Sequence, residues 1–335
     1  MEKKLNKILS FIKFCSDGAV EKIEQLNKSP RLIVLDSNMI ASLGYSHPSP
    51  SIFILQKNID KIDANAFQDF YQLEWLTISQ NHLVYLETSR FKHLTYLRHL
   101  NLSSNLLVSI NYFDFNGLVS LEELILEQNK IETIEASCFE KLKNLRTLKL
   151  NINYIRIISA NIFQGLERLE TLDLSENDIE TVPSQTFNGM PMLTTLLLNQ
   201  NSITLVEPDS FNGLQSLEEI NLDSNKLDQI DRYSFRNLPR LQTLKLSSNS
   251  LKSLDDSLFY GLVYLSDLAL NSNQLTRIEA NTFSQLSYLT YLNLSDNQID
   301  FIDVNAFDGS CYIQSLLLSH NPIGNDFSYS CIHQM

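Results

Sequence analysis

The side chains able to do chemistry are scattered along this sequence rather than assembled. The histidines are His47, His82, His93, His99, His320 and His333, and the cysteines are Cys15, Cys138, Cys311 and Cys331. Two histidines one helical turn apart around a glutamate would hold zinc. A serine between glycines at a strand-to-helix turn would be a nucleophile, and a glycine-rich loop ending in Lys-Ser/Thr would cradle phosphates. None of these patterns occurs. No cysteines stand at C-x-x-C or other zinc-ligand spacing, and the many aspartates and glutamates form no calcium-loop pattern. The residues therefore call for no cofactor and no metal, and they point away from an enzyme.

Charge narrows the partners. The formal net charge is −13 over 335 residues, which repels phosphate backbones and anionic lipid, so neither nucleic acid nor a membrane surface is the expected partner. No apolar run approaches the ~20 residues that span a bilayer. At the N-terminus Glu2, Lys3, Lys4 and Lys7 precede a short apolar stretch from Ile8 to Ile12 that Lys13 interrupts. This reads either as a poor secretory signal or as an amphipathic helix with Leu5, Ile8, Leu9 and Ile12 on one face.

What positions these groups is a repeat. Leu73, Leu76, Ile78, Asn81, Leu83, Leu86, Phe91 and Leu94 recur 24 residues later as Leu97, Leu100, Leu102, Asn105, Leu107, Ile110, Phe115 and Leu118. The register then holds through Leu121, Leu145, Leu169, Leu193, Leu217, Leu241, Leu265, Leu289 and Ile313. Residues 73–323 thus read as eleven repeats, the last incomplete. Residues 30–72 read as degenerate ones: Ile52, Ile54, Ile59, Ile62 and Phe67 form one copy, and Ile33, Leu35, Asn38, Ile40 and Leu43 a shortened one. Residues 1–29 read as a helical segment serving as a cap, and 324–335 as a truncated C-terminal cap. The L-x-x-L-x-L segment alternates with period two, as a strand with its leucines inward does. Stacked copies make a parallel sheet. The asparagine after each strand sits where the chain turns inward, and its amide offers both donors and an acceptor to the buried backbone there. Six glycines stand two residues after the phenylalanine, a slot also filled by His93, Lys141, Asn237 and Gln285. It reads as a turn that tolerates positive φ without demanding glycine.

The fold class expected is an α/β repeat solenoid: a curved horseshoe with a parallel concave sheet and an irregular or short-helical convex side. The outward positions of the strands then form columns. One runs Trp75, His99, Glu123, Thr147, Thr171, Thr195, Glu219, and the next Thr77, Asn101, Ile125, Lys149, Asp173, Leu197, Asn221. The single tryptophan, Trp75, reads either as a ligand anchor or as a ring covered by the N-terminal segment. His99 lies between Trp75 and Glu123, either as a pH-sensitive group or as an ordinary solvated contact. Glu122, Glu123 and Glu127 form an acidic cluster echoed by Glu170, Asp173 and Glu176 and by Glu218, Glu219 and Asp223, with Arg146 and Lys149 between the first two. These clusters read either as a docking strip for a basic ligand or as a charged face that keeps an open sheet soluble. A protein ligand is expected around Trp75, His99, Glu123, Arg146, Lys149, Asp173 and Glu219. Glycosylation sequons begin at Asn27, Asn101 and Asn293. The last two lie on the concave face and flank the stretch from about Glu122 to Asp267.

The 24-residue period, with its phenylalanine and without a Gly-x-Ile-Pro segment, resembles the typical class of leucine-rich repeats found in animal extracellular proteins. That class includes Toll-like receptors, neuronal adhesion proteins and hormone-receptor ectodomains. The resemblance implies a receptor or adhesion ectodomain, or part of one, that binds a protein ligand outside the cell. The ends depart from it. Cys15 stands where a cysteine-rich cap is usual, and "HNPIGNDFSYSC" carries Ile323 for the usual tryptophan of the closing cap. Those departures leave an intracellular adaptor or scaffold as the alternative. If the protein is secreted, Cys311 and Cys331, in the last coil and its tail, are expected to pair, with Cys138 a buried thiol.

Overall fold

The computed structural model describes residues 32–324. Twelve parallel strands form one sheet, beginning at Ser51–Phe53 and Trp75–Thr77 and ending at Tyr291–Asn293 and Ser315–Leu317. Each pairs with the next at a shift of 24, so Leu76 faces Leu100, Leu172 faces Leu196 and Leu292 faces Leu316. At ~4.8 Å per strand the sheet runs roughly 50 Å. Shorter two-residue strands pair on the flank behind it, among them Ser109–Ile110 with Thr133–Ile134 and Thr181–Val182 with Leu205–Val206. This is the parallel solenoid expected from the period.

Each coil is too small to bury its own apolar face, so the core is continuous along the stack. The strand leucines and the second apolar pair are fully buried, as at Leu169, Leu172, Leu174 and Ile179. The phenylalanines form a spine on the convex side, with Phe187, Phe211 and Phe235 stacked at 5.9 and 5.8 Å. All eleven repeat asparagines join their own coil to the previous one in the same way, accepting an N–H from it and donating to one of its carbonyls. The Oδ1 of Asn177 accepts the Ile155 N–H at 3.0 Å, while its Nδ2 donates to Leu150 O at 3.0 Å and Leu174 O at 3.1 Å. Asn81, next to the N-terminal edge, and Asn321, in the last coil, repeat the pattern. The residue before each asparagine is left-handed, from Gln80 at φ 56° to His320 at φ 57°. Ile152, at φ 56°, is the costliest occupant, because a β-branched side chain crowds that conformation.

Two local readings need correction. Ile33 to Leu43 is not a shortened copy of the whole repeat but the rear half of one. Val34–Leu35 pairs with Lys61–Ile62 on the flank rather than joining the concave sheet. Leu35 therefore matches Ile62, and Ile40, five residues on, takes the buried place of Phe67. Asn38 makes no ladder. It lies in Ser37–Ser42, the one helix among the described residues, which Asp36 caps by accepting the Met39 N–H at 2.8 Å. The second correction concerns the glycine slot. At Gly117, φ is 97° and a Cβ would meet the Lys92 backbone at 2.6 Å. Asn237 also takes positive φ, but His93, Lys141 and Gln285 do not; those coils place the left-handed residue at Ser89, Ser137 and Asn281 instead. Gln185 and Asp209, in the Gly189 and Gly213 coils, are left-handed at that earlier position as well, so the two positions do not exclude each other.

One buried carboxylate stands beside the phenylalanine spine. Asp114, 2% exposed, accepts hydrogen bonds from the Asn111 N–H at 2.7 Å and Asn111 Nδ2 at 3.2 Å. Burial raises its pKa from 3.8 to about 7 despite those bonds, and Glu135 adds to the rise. In the next coil, burial and then the neighbouring Asp114 push the buried Cys138 thiol far above its usual value. The folded chain holds the Asp114 proton up to about pH 7, whereas the unfolded chain releases it near 3.8. Folding thus takes up a proton in that window, and stability falls as pH rises through it. Asp114→Asn keeps the hydrogen bonds and removes the ionisation. It should match the parent near pH 4 and be more stable at pH 8 by on the order of 1–3 kcal/mol in chemical denaturation. Equal stability at pH 8 would contradict this reading.

Candidate protein-binding face

Alternation along each strand turns the residues between the leucines out of the concave face, and the exact period aligns them into columns. The contacts run along the stack, because neighbouring strands are ~4.8 Å apart while successive residues of one strand point to opposite faces. At the N-terminal end the Trp75 indole stacks on the His99 imidazole, with centroids 3.8 Å apart and planes at 21°. The Nδ1 of His99 lies 3.1 Å from a Glu123 carboxylate oxygen. Trp75 is 39% exposed. Phe53 and Leu55, in and just after the first strand, are exposed beside it.

At the centre the strands bring Ile125, Lys149, Asp173 and Leu197 into one row. The Oδ1 of Asp173 accepts from the Ser175 N–H at 3.0 Å and Ser175 Oγ at 2.6 Å. Further along, Lys245 donates to Glu219 at 2.7 Å. That hydrogen bond and the surrounding carboxylates raise the pKa of Lys245. Burial raises those of Asp223 and Asp267, with Glu219 contributing at Asp267.

The expected site residues are therefore not one cluster. Trp75, His99 and Glu123 come together; Lys149 and Asp173 are paired positions; Glu219 belongs with Lys245. Arg146 lies one residue ahead of its strand, at the lip of the sheet, where its guanidinium meets Glu170. It belongs to a ladder of alternating charge at that lip, with Arg98 and Glu122 at 3.2 Å. The acidic clusters of the sequence are thus divided among partners one coil away: Glu122 with Arg98, Glu123 with His99, Glu170 with Arg146 and Glu219 with Lys245. A third outward column, Ser79, Ser103, Glu127, Asn151, Ser175, Asn199 and Asp223, was missed in reading the columns. It lies just beyond the strand ends, and its signal was the same 24-residue spacing. At the sequons, Asn101 accepts from Ser103 N–H at 2.8 Å and Asn293 from Ser295 Oγ at 2.7 Å. Cys311 is exposed. Its expected partner Cys331, along with Cys15, Asn27, the N-terminal segment proposed to cover Trp75 and most of the C-terminal cap, lies outside the described residues.

Stacking of this kind makes a preorganised surface, and its strength is measurable. In a Trp75→Ala, His99→Ala double-mutant cycle, the coupling in unfolding free energy should be about 0.5–1.5 kcal/mol. A coupling indistinguishable from zero would mean that the two rings do not hold each other in place.

Comparison with known proteins agrees with the repeat. The family pattern described as "Leucine rich repeat" matches residues 72–131, 119–179 and 167–227, and "BspA type Leucine rich repeat region (6 copies)" matches 204–333. No curated protein is close enough in sequence to match the chain. Among solved structures, a chain of the Drosophila Toll–Spätzle complex superposes with a TM-score of 0.75 at 29% identity, over 83% of this chain and 37% of that one. The leucine-rich repeat domain of APL1B gives 0.68 at 25% identity, over 85% and 80%. A chain of the TLR13–ssRNA13 complex gives 0.57 at 25% identity, over 78% and 47%. The chain thus spans well under half the length of the Toll-complex chain it resembles. With the two family patterns together running over residues 72–333 and the coil geometry shared with these structures, the chain belongs to the leucine-rich-repeat proteins.

Proposed function

We propose that this chain is a protein-recognition ectodomain, or a segment of one, of receptor or adhesion type, and that a protein ligand seats on its concave face. The observation that carries the reading is at the centre of the sheet. Three basic side chains stand in the two strand columns, and His99 and Lys245 are both engaged by carboxylates. The Lys149 side chain has no hydrogen-bond or ion-pair partner among the described residues, although Asp173 stands opposite it. Two residues on, Asn151 Oδ1 is turned away from water with no donor. Ile125 and Leu197 stand in the same row as Lys149, so a ligand carrying a carboxylate beside apolar side chains would complete this part of the sheet.

The rigidity of the sheet favours the same reading, since a preformed surface lowers the ordering cost of binding. Likeness to chains of the Toll–Spätzle and TLR13–ssRNA13 complexes supports an extracellular setting. Of the two ligand classes those names contain, the net charge of −13 favours protein over nucleic acid. Trp75, His99 and Glu123 would then serve as a second contact at the N-terminal end, and Arg146 and Glu219 as rim groups.

The test is a Lys149→Glu, Asp173→Lys double reversal, checked for an unchanged unfolding transition. Each protein retained by the immobilised parent should bind the variant at least about tenfold more weakly, or ~1.4 kcal/mol. Undiminished affinity would remove the sheet centre from the site. Loss of binding in Trp75→Ala alone would move the site to the N-terminal strands.

A further inference from the structure

A second surface lies off the concave face, on the flank where each turn rises into its strand. Three residues ahead of the strands, the last three coils place Tyr264, Tyr288 and Tyr312 one above another. Their rings are 5.4 and 6.5 Å apart, and they are 53%, 56% and 66% exposed. Exposed Tyr260 and Val263 widen the patch. Only the last three coils stack rings at this position; earlier coils hold Tyr96, Ser120, Asn144, Arg168, Met192, Ser216 and Arg240. There the flank uses its own polar pairs, such as Lys143 with Glu167 at 2.9 Å and Arg168 with Asn144 at 2.8 Å.

Elsewhere in the molecule, four exposed rings are covered by cations of the chain itself. Lys61 lies over Tyr85 at 6.0 Å, Lys130 over Tyr154 at 4.8 Å, Arg236 over Tyr233 at 5.1 Å and Arg277 over Phe301 at 4.1 Å. The three-tyrosine ladder has no such cover. Its turns, residues 260–266, 284–290 and 308–314, contain no lysine, arginine or histidine. From residue 278 to the end there is no lysine or arginine at all, against six carboxylates: Glu279, Asp296, Asp300, Asp303, Asp308 and Asp326. The ladder is therefore an electron-rich aromatic strip in the most one-signed part of an acidic chain. Both the ring quadrupoles and the field attract a cation, and the field opposes a second copy of this chain. A guanidinium is the better fit, because it is planar, weakly hydrated and stacks on phenol rings where an ammonium does not.

We infer that the Tyr264–Tyr288–Tyr312 flank is a docking surface for an arginine-bearing segment of a protein partner. It is separate from the concave site and does not depend on that assignment. The test measures binding of labelled hexa-arginine and hexalysine peptides, equal in charge, at physiological salt. The parent should bind hexa-arginine roughly fivefold or more tighter than hexalysine. Tyr288→Ala with Tyr312→Ala should abolish that preference while leaving hexalysine binding within about twofold, because the carboxylates remain. Tyr288→Phe with Tyr312→Phe, which keeps the rings, should retain it. Equal affinity for the two peptides, or a preference that survives the alanine pair, would overturn the inference. So would tyrosine-dependent self-association in sedimentation velocity, which would give the flank to a second copy.

Discussion

The rest of the molecule depends on how each coil turns inward after its strand. A chain that bends into its own core carries backbone N–H and C=O groups away from water, and each left unpaired costs about 1–3 kcal/mol. The asparagine amide resolves this by joining three segments. It accepts from the previous coil, as Asn177 does from Ile155, and donates both to that coil and to its own strand. The residue before it pays with a left-handed backbone, even at Ile152. Apolar burial drives the coils together and rejects a one-residue slip, which would turn the leucines outward. The amide bonds add a second constraint at the same shift of 24 residues.

That fixed shift explains the surface. Because each side chain's closest outward neighbours are the equivalent residues of adjacent coils, charge is balanced along the stack rather than along the sequence. Glu122 and Glu123, adjacent in the chain, answer to Arg98 and His99 in the previous coil. What remains unbalanced is then conspicuous: Lys149 and Asn151 at the middle of the concave sheet and the cation-free tyrosine flank at its C-terminal end. Recognition by a repeat protein of this kind resides in such unsatisfied positions on an otherwise regular lattice.

The solenoid, the inward leucines, the phenylalanine spine and the asparagine ladder were all legible in the amino-acid sequence, because a strict period converts one-dimensional spacing into three-dimensional neighbours. The strand columns holding Trp75, His99, Lys149 and Asp173 followed from the same arithmetic. Pairing did not, since residues close in the chain had been grouped before their neighbours one coil away. Arg146 was placed with the sheet although it precedes its strand by one residue, and the spacing alone does not mark where a strand begins. Ile33 to Leu43 misled for a related reason: half a repeat contains the same apolar types as a whole one, and only its pairing with Lys61–Ile62 distinguishes them. The tyrosine ladder lies outside the strands and was missed, although its 24-residue spacing was present in the sequence.

The most direct test of the asparagine ladder is amide hydrogen exchange at Ile155 in the parent and in Asn177→Ala. If the amide bond holds the coil, the Ile155 N–H should exchange roughly 5- to 150-fold faster in the variant, the equivalent of ~1–3 kcal/mol. The Ile131 N–H, held by Asn153 at 3.0 Å, should be nearly unchanged, because stability in a stack is summed over neighbours. An Ile155 amide that exchanges at the parent's rate in the variant would contradict the account.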